Sequence, residues 1–195
     1  MRAPVILLDV DGPLTASFFD TTCRFLRDEG VEAKPEHIDR WDIFAAFATP
    51  PHVEERVRER LCLPGIAKMF TPRPGAGPLV RALRDFGEVY AVTSPFDGSP
   101  TWAHDREAWL RDRLGFAADH VISARDKTLI AGDILVDDKT TTLVRWTAAN
   151  PKGLAILWSE THNRADKWPG FAASNYVELM SLIGAFRGAR SSTGI

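Results

Sequence analysis

Four short stretches of this chain carry side chains suited to phosphate chemistry: Asp9-Val10-Asp11-Gly12, Thr93-Ser94, Lys127 and Asp137-Asp138. A carboxylate is ionised at neutral pH and can attack phosphorus, giving an acyl phosphate that water later hydrolyses. Asp9 is the expected nucleophile. Departure of the leaving group needs a proton and the second step needs a base, and Asp11, two residues on, suits both. Two carboxylates that lie close repel each other and call for a cation, a shared proton or separation. A cation is the reading adopted here. Mg²⁺ is the expected cofactor, because it binds through one or two carboxylates plus a substrate phosphate. Asp9 with Asp137 or Asp138 would supply the carboxylates, the choice between the last two being left open. Thr93 and Ser94 would offer hydroxyl and backbone donors to the phosphate, and Lys127 a point charge to the phosphate and the nucleophile. Each stretch alone also fits an ordinary solvated turn or a surface lysine. Their order and shared position at strand ends make the joint reading the stronger one.

The elements that must position these residues follow from the hydrophobic pattern. Val5 to Leu8 is a continuous apolar run stopped by Gly12-Pro13, which predicts a strand buried on both faces. Its acids fall at the carboxyl end, where open α/β sheets bind ligands. Side chains at i and i+2 of a strand share one side, so Asp9 and Asp11 could point together, although the Gly-Pro break leaves Asp11 unsettled. Further strands are predicted at 89–94, 121–122, 134–136 and 154–158. Helices are expected from Leu79 to Phe86, from Trp102 to Leu114 and over about 174–187, with a patternless tail from Arg187 onward. Between the first strand and Pro74, helical pattern follows helical pattern with no strand; Val53, Val57 and Leu61 show the i, i+4, i+8 spacing of one such helix. The fold class expected is therefore α/β: a Rossmann-like, doubly wound, mostly parallel sheet. Residues 1–15 and 74–195 form its core, and residues 16–73 form a helical cap over the carboxyl edge.

The totals bound the function. A chain of 195 residues with 45% hydrophobic residues can bury one good core. A formal net charge of −2 argues against a dominant nucleic-acid or anionic-membrane surface. Cys23 and Cys62 are far apart and outside any metal spacing, which suits a reducing compartment. The chain enters its first strand without a leader pattern, and no apolar run approaches the ~18 residues of a membrane span. A cytoplasmic location is expected.

The order of the four stretches resembles the haloacid dehalogenase (HAD) superfamily of phosphatases over nearly the whole chain. Thr93-Ser94-Pro95, Arg125-Asp126-Lys127-Thr128 and Ile134-Leu135-Val136-Asp137-Asp138-Lys139, with His162-Asn163 beyond, resemble more narrowly the 5'(3')-deoxyribonucleotidase family. The resemblance implies a HAD-like core with a cap, and a metal-dependent phosphatase whose substrate is a nucleoside monophosphate. It also implies that Asp11 faces the metal through its backbone carbonyl, which adds Asp11 to the metal set and frees its side chain for proton transfer.

The substrate side is read from Phe18, Phe19, Trp41, Phe44 and Phe47 of the cap segment, with Phe96 and Lys139 of the core. Aromatic stacking on a base can contribute ~1–3 kcal/mol. The family would recognise deoxyribose through an apolar surface around its 2' carbon. Such a surface rejects an added hydroxyl by only ~10²-fold, so preference and not exclusion is expected. Lys139 stands where mammalian members have Arg, and the cap segment shows little similarity, so base choice is not carried over. The rival readings are a phosphatase for a sugar phosphate or phosphoglycolate and a non-catalytic nucleotide-binding protein. Retention of Asp9, Asp11 and Lys127 argues against the second. The expected partner is a small-molecule phosphomonoester, with no nucleic acid, no membrane and a homodimer left open.

Overall fold

The computed structural model describes residues 2–193. Six strands form one sheet: β1 (Val5–Asp9), β2 (Glu88–Thr93), β3 (Val121–Ser123), β4 (Ile134–Asp137), β5 (Leu154–Trp158) and β6 (Phe171–Ala173). Their order is β3-β2-β1-β4-β5-β6, and every neighbouring pair is parallel. The expected doubly wound sheet is thus present, with all strands running in one direction. Helices α1 (Ser17–Asp28), α2 (Ile43–Ala46) and α3 (Pro51–Leu61) lie between β1 and β2 and precede α4 (Ala76–Arg84). Helices α5 (Trp102–Leu114), α6 (Thr140–Ala149) and α7 (Tyr176–Thr193) complete the described chain.

Strand β1 shows why the sheet must be covered twice. Leu7 packs with Val92, Leu135 and Leu157 against Leu143 and Trp146 of α6. Its neighbours Ile6 and Leu8 face the other way, toward Leu79 and Leu83 of α4 and Leu179 and Ile183 of α7. Full burial of each such side chain contributes about 1.5–3 kcal/mol. The second core continues without a break into the helical segment through Phe25, Leu26, Val53, Val57 and Leu61. Polar contacts fix that segment's return to the sheet. Asp105 on α5 accepts from the Gly65 amide at 2.7 Å, and Trp109 Nε1 donates to the Phe70 carbonyl at 2.6 Å. At the segment's base, Thr15 Oγ1 donates to the Thr71 carbonyl at 2.7 Å.

Three features depart from the sequence expectation. Helix α6 lies in a stretch with no helical reading, because Thr140-Thr141-Thr142 is a β-branched run of low helix propensity. Burial of Leu143 and Trp146 against the sheet overrides that preference. Strand β6 is a three-residue edge strand with Phe171 exposed, too short to show alternation. The tail expected to lack pattern from Arg187 continues as helix to Thr193, with residues 194 and 195 outside the described part. Arg187 anchors it, donating to the Asp85 carbonyl at 3.2 Å and lying over the Phe86 ring. No helix among the described residues is long and apolar enough to cross a membrane.

Trp146 is fully buried and donates through Nε1 to the Ile130 carbonyl at 3.0 Å. Trp146→Ala should therefore cost about 3–5 kcal/mol, read as a lowered urea midpoint. A loss under 1 kcal/mol on the order of a surface substitution would show that α6 does not seal this face.

Candidate active site

Parallel register brings the acids together. Asp9 sits opposite Val92, and the Leu8–Val136 pair places Asp137 one step on, beside Asp9 at the carboxyl ends of β1 and β4. Thr93 ends β2 one residue beyond Val92, at the same edge. Lys127 opens a short 3₁₀ turn, Lys127–Leu129, whose start is capped by Asp126 accepting from the Thr128 amide at 3.0 Å. From that turn its buried ammonium reaches Asp9 Oδ1 and Asp137 Oδ2, each at 2.7 Å. Burial is the largest influence on Lys127 and works against its charge. Asp137 and Asp9 outweigh it and hold the ammonium above the ordinary lysine value. Lys127 is a fixed cation.

Three acids surround one lysine. Asp9, Asp137 and Asp138 are buried, and each offers an oxygen within 4.8 Å of the others. Asp9 accepts from the Val10 amide at 2.7 Å, and Asp137 Oδ1 from the Lys139 amide at 2.8 Å. Among the described residues, Asp138 has no hydrogen-bond donor on either oxygen. His162 Nε2 stands 3.2 Å from Asp138 Oδ2 without the geometry of a hydrogen bond. Burial of the imidazole pushes its pKa below the usual histidine value. Burial foremost, and then Asp137, pushes the Asp138 carboxyl well above its ordinary range. Asp9 is raised chiefly by burial too, against the pull of Lys127. A buried carboxylate without a donor is costly unless a cation completes it. Three carboxylates against one ammonium leave two negative charges, which one divalent ion would balance. The donor set is all oxygen, as a hard cation such as Mg²⁺ requires. The residues fit the ion.

Gly12 is part of this fit. Its φ is +90°, and a Cβ there would lie 2.8 Å from Asp138 Oδ2 and 3.0 Å from Asp138 Cβ. Only glycine allows the loop to turn that closely over the acid. Arg73 braces the loop from outside, donating through Nε to the Gly12 carbonyl at 2.5 Å and pairing with Glu160. Tyr176 Oη donates to the Pro13 carbonyl at 2.7 Å.

Asp11 lines the same cavity as Asp9, but its carboxylate is held by Arg106 and stands apart from the acid cluster. Both its oxygens accept from Arg106 Nη2, at 2.5 and 2.6 Å, and its carboxylate is not one of the three in the acid cluster. Arg106 itself was not anticipated from sequence. The available signal was its place on α5 at helical spacing from Trp102 and Trp109, on the face that is buried.

A cavity of about 440 Å³ opens above Asp9, Asp11, Lys127 and Asp137. It is walled by Phe18, Phe19, Trp41, Phe44, Phe96 and Trp102, with Ser94, Lys139, Arg58 and Arg125 among its polar lining. Phe18, Phe19, Trp41, Phe44 and Phe96 therefore meet here as expected, joined by Trp102, whereas Phe47 packs against the core and does not line the cavity. Phe18 contacts Phe96 at 5.7 Å between centroids, and Phe96 contacts Trp102 at 5.2 Å. Lys139 Nζ lies 4.6 Å above the Trp41 ring, and His162 packs at a tilt against Phe19, 4.8 Å between centroids. Ser94 Oγ donates to the Ala124 carbonyl at 3.2 Å. Thr93 does not line the cavity; its hydroxyl is buried beneath the edge without a partner.

The family described as 5' nucleotidase, deoxy (pyrimidine), cytosolic type C protein matches residues 3–187. The human cytosolic-type 5'(3')-deoxyribonucleotidase is 31% identical over 170 residues, covering 84% of this chain and 83% of its own length. The mouse mitochondrial 5'(3')-deoxyribonucleotidase is 27% identical over 95 residues, 47% of this chain and 42% of that one. Among solved structures, a haloacid dehalogenase-like family hydrolase from Streptococcus pneumoniae has a TM-score of 0.63 at 11% identity. It covers 92% of this chain and 98% of its own. A HAD-type protein from Bacillus subtilis, bound to magnesium, has a TM-score of 0.55 at 13% identity, covering 94% of this chain and 99% of that one. Both structural likenesses establish a HAD-like fold.

Metal-free protein should respond to pH and Mg²⁺ together. A carboxyl raised in the folded state stabilises below its ordinary value of 3.8 and loses that contribution as pH rises through the folded value. Mg²⁺ competes with those protons. Thermal melts should therefore show a larger Mg²⁺-induced rise in Tm at neutral than at mildly acid pH, reversed by EDTA. Gly12→Ala should weaken that response; an unchanged Mg²⁺ shift would disprove the close packing of the loop on Asp138.

Proposed function

The chain belongs to the 5' nucleotidase, deoxy (pyrimidine), cytosolic type C family, and on that premise we propose that it hydrolyses deoxynucleoside monophosphates through an aspartyl-phosphate on Asp9. The broader class is not in question: it is a phosphoric monoester hydrolase of the HAD type. The observation that carries the finer reading is the Lys127 ammonium, 2.7 Å from both Asp9 and Asp137, beside the partnerless Asp138 and under an aromatic-walled cavity.

In this reading Asp9 attacks phosphorus and the bond from phosphorus to the sugar oxygen breaks. Asp11 gives that oxygen its proton. A water molecule then attacks the aspartyl-phosphate, Asp11 takes the water's proton, and inorganic phosphate leaves with the Asp9 carboxylate restored. Lys127 holds Asp9 in place and offers its charge to the phosphate oxygens. Ser94 supports the phosphate from the cavity lining and Thr93 from the strand end, where its unpartnered hydroxyl gains an acceptor. Mg²⁺, held by Asp9, Asp137 and Asp138 and by the Asp11 carbonyl that the family resemblance implies, would screen the approach of one anion to another. Residues 16–73 act as the cap, supplying Phe18, Phe19, Trp41 and Phe44 to the base, with Phe96 and Lys139 contributed by the core. The cavity falls in the usual range for small-molecule sites, roughly 300–1,000 Å³. We place the protein in the cytoplasm, in keeping with the cytosolic type of its human relative.

Purified protein with Mg²⁺ should release phosphate from dUMP or dTMP, and EDTA should stop it. Asp9→Asn should abolish turnover while the protein still unfolds cooperatively, its midpoint shifted by the change to the buried Lys127 pair; substantial residual turnover would remove Asp9 from the nucleophile's role. Lys127→Ala should lower the rate by ~10²–10³-fold, the usual loss for one preorganised donor. In a parallel screen, faster release from sugar phosphates or phosphoglycolate than from any nucleotide would overturn the substrate assignment.

A further inference from the structure

Arg106 is fully buried, yet it carries a charge that burial makes expensive. Its surroundings are aromatic: the guanidinium lies 4.6 Å from the Phe70 ring centroid, 4.9 Å from Trp102 and 5.8 Å from Trp109. Such faces attract a cation but accept no ordinary hydrogen bond. Nε and Nη1 accordingly have no partner. Among the described residues its side chain hydrogen-bonds only through Nη2, to the two oxygens of Asp11. Packing alone does not require an arginine here, because an apolar side chain of similar volume would fill the same aromatic box without orphaned donors.

Helix α5 is itself held in place on both sides of Arg106. Asp105 accepts from the Gly65 amide and from Thr101 Oγ1, each at 2.7 Å, and Trp109 Nε1 is tied to the Phe70 carbonyl. Arg106 therefore projects from a fixed element, while Asp11 sits at the start of the Gly12 turn with its side chain partly exposed to the cavity. A carboxylate there has an alternative, since three neighbouring acids form a site for a cation.

We propose that Arg106 is a positioning residue for Asp11: it holds the carboxylate at the cavity, out of the acid cluster, where the leaving oxygen and the attacking water must exchange protons. The inference rests on the reading of Asp11 as the proton-transfer group. Each Asp11 oxygen has lone pairs beyond the one Arg106 uses, so the contact leaves room for a proton to come and go. Loss of the contact should lower kcat and leave KM for the nucleotide nearly unchanged. The expected size is on the order of 10²-fold, since a misplaced group of about 1 Å can cost that much.

A double-mutant cycle with two substrates tests this. The variants are Arg106→Met, Asp11→Asn and the pair together, with dUMP as one substrate. The other is p-nitrophenyl phosphate, whose leaving group departs without a proton. Arg106→Met should reduce kcat/KM for dUMP far more than for p-nitrophenyl phosphate, and the double variant should be no slower than Asp11→Asn alone. Arg106→Lys should recover part of the loss by restoring a charge without the guanidinium's geometry. If Asp11→Asn lowers kcat/KM for both substrates equally, the assignment of Asp11 fails. If Asp11→Asn discriminates between them and Arg106→Met does not, or if the two losses multiply, Arg106 has only a structural role and the proposal is overturned. Should Arg106→Met fail to fold, Arg106→Lys and Arg106→Gln complete the same cycle with the same criteria.

Discussion

The Lys127 ammonium between Asp9 and Asp137 is the interaction on which the rest of the site depends. It joins the central strands β1 and β4 through side chains at matching heights, and it does so in a buried place where charge must be matched. One ammonium cannot neutralise three acids. Asp138, next in chain to Asp137, is left with bare oxygens and a raised pKa. The site is therefore built with an unmet demand for positive charge, which explains the fit to a divalent ion.

Around that charge the chain uses backbone geometry to keep everything close. The Gly12 turn lies against Asp138 so tightly that no side chain fits, and Arg73 and Tyr176 grip the turn's carbonyls from the far side. Asn163 adds a further tie, donating through Nδ2 to the carbonyls of Asp138 and Trp158, each at 2.8 Å. Contacts of this kind cost little individually, yet together they over-determine the position of two loops that would otherwise repel each other electrostatically.

The aromatic wall solves a different problem. Phe18, Phe96 and Trp102 contact one another in sequence, and Trp102 and Phe70 also face the Arg106 guanidinium. Trp102 is the ring the two share, lining the cavity and also facing the buried arginine. One buried face of helix α5 thus carries both a ring of the cavity wall and the charged clamp on Asp11. Helix α5 is also where the helical segment 16–73 is tied down, through Asp105 and Trp109.

The sheet, its parallel sense and the acids at its carboxyl edge were legible because each depends on local pattern: an apolar run long enough for one strand, a Gly-Pro stop, an Asp-Asp pair after Ile134-Leu135-Val136. The helix at Thr140–Ala149 was not legible, since a threonine run argues locally against helix and only the packing of Leu143 and Trp146 decides otherwise. The same division holds at the site. Asp9, Lys127, Asp137 and Asp138 could be named from spacing, and Phe18, Phe19, Trp41, Phe44 and Phe96 from composition. That Asp11 turns to Arg106, ninety-five residues away, could not. Sequence by itself determined which charged groups exist and which strand end each one occupies, because those follow from neighbours along the chain. Only the tertiary structure decided which charges pair, because that depends on distances between elements remote in sequence and on how little water reaches them.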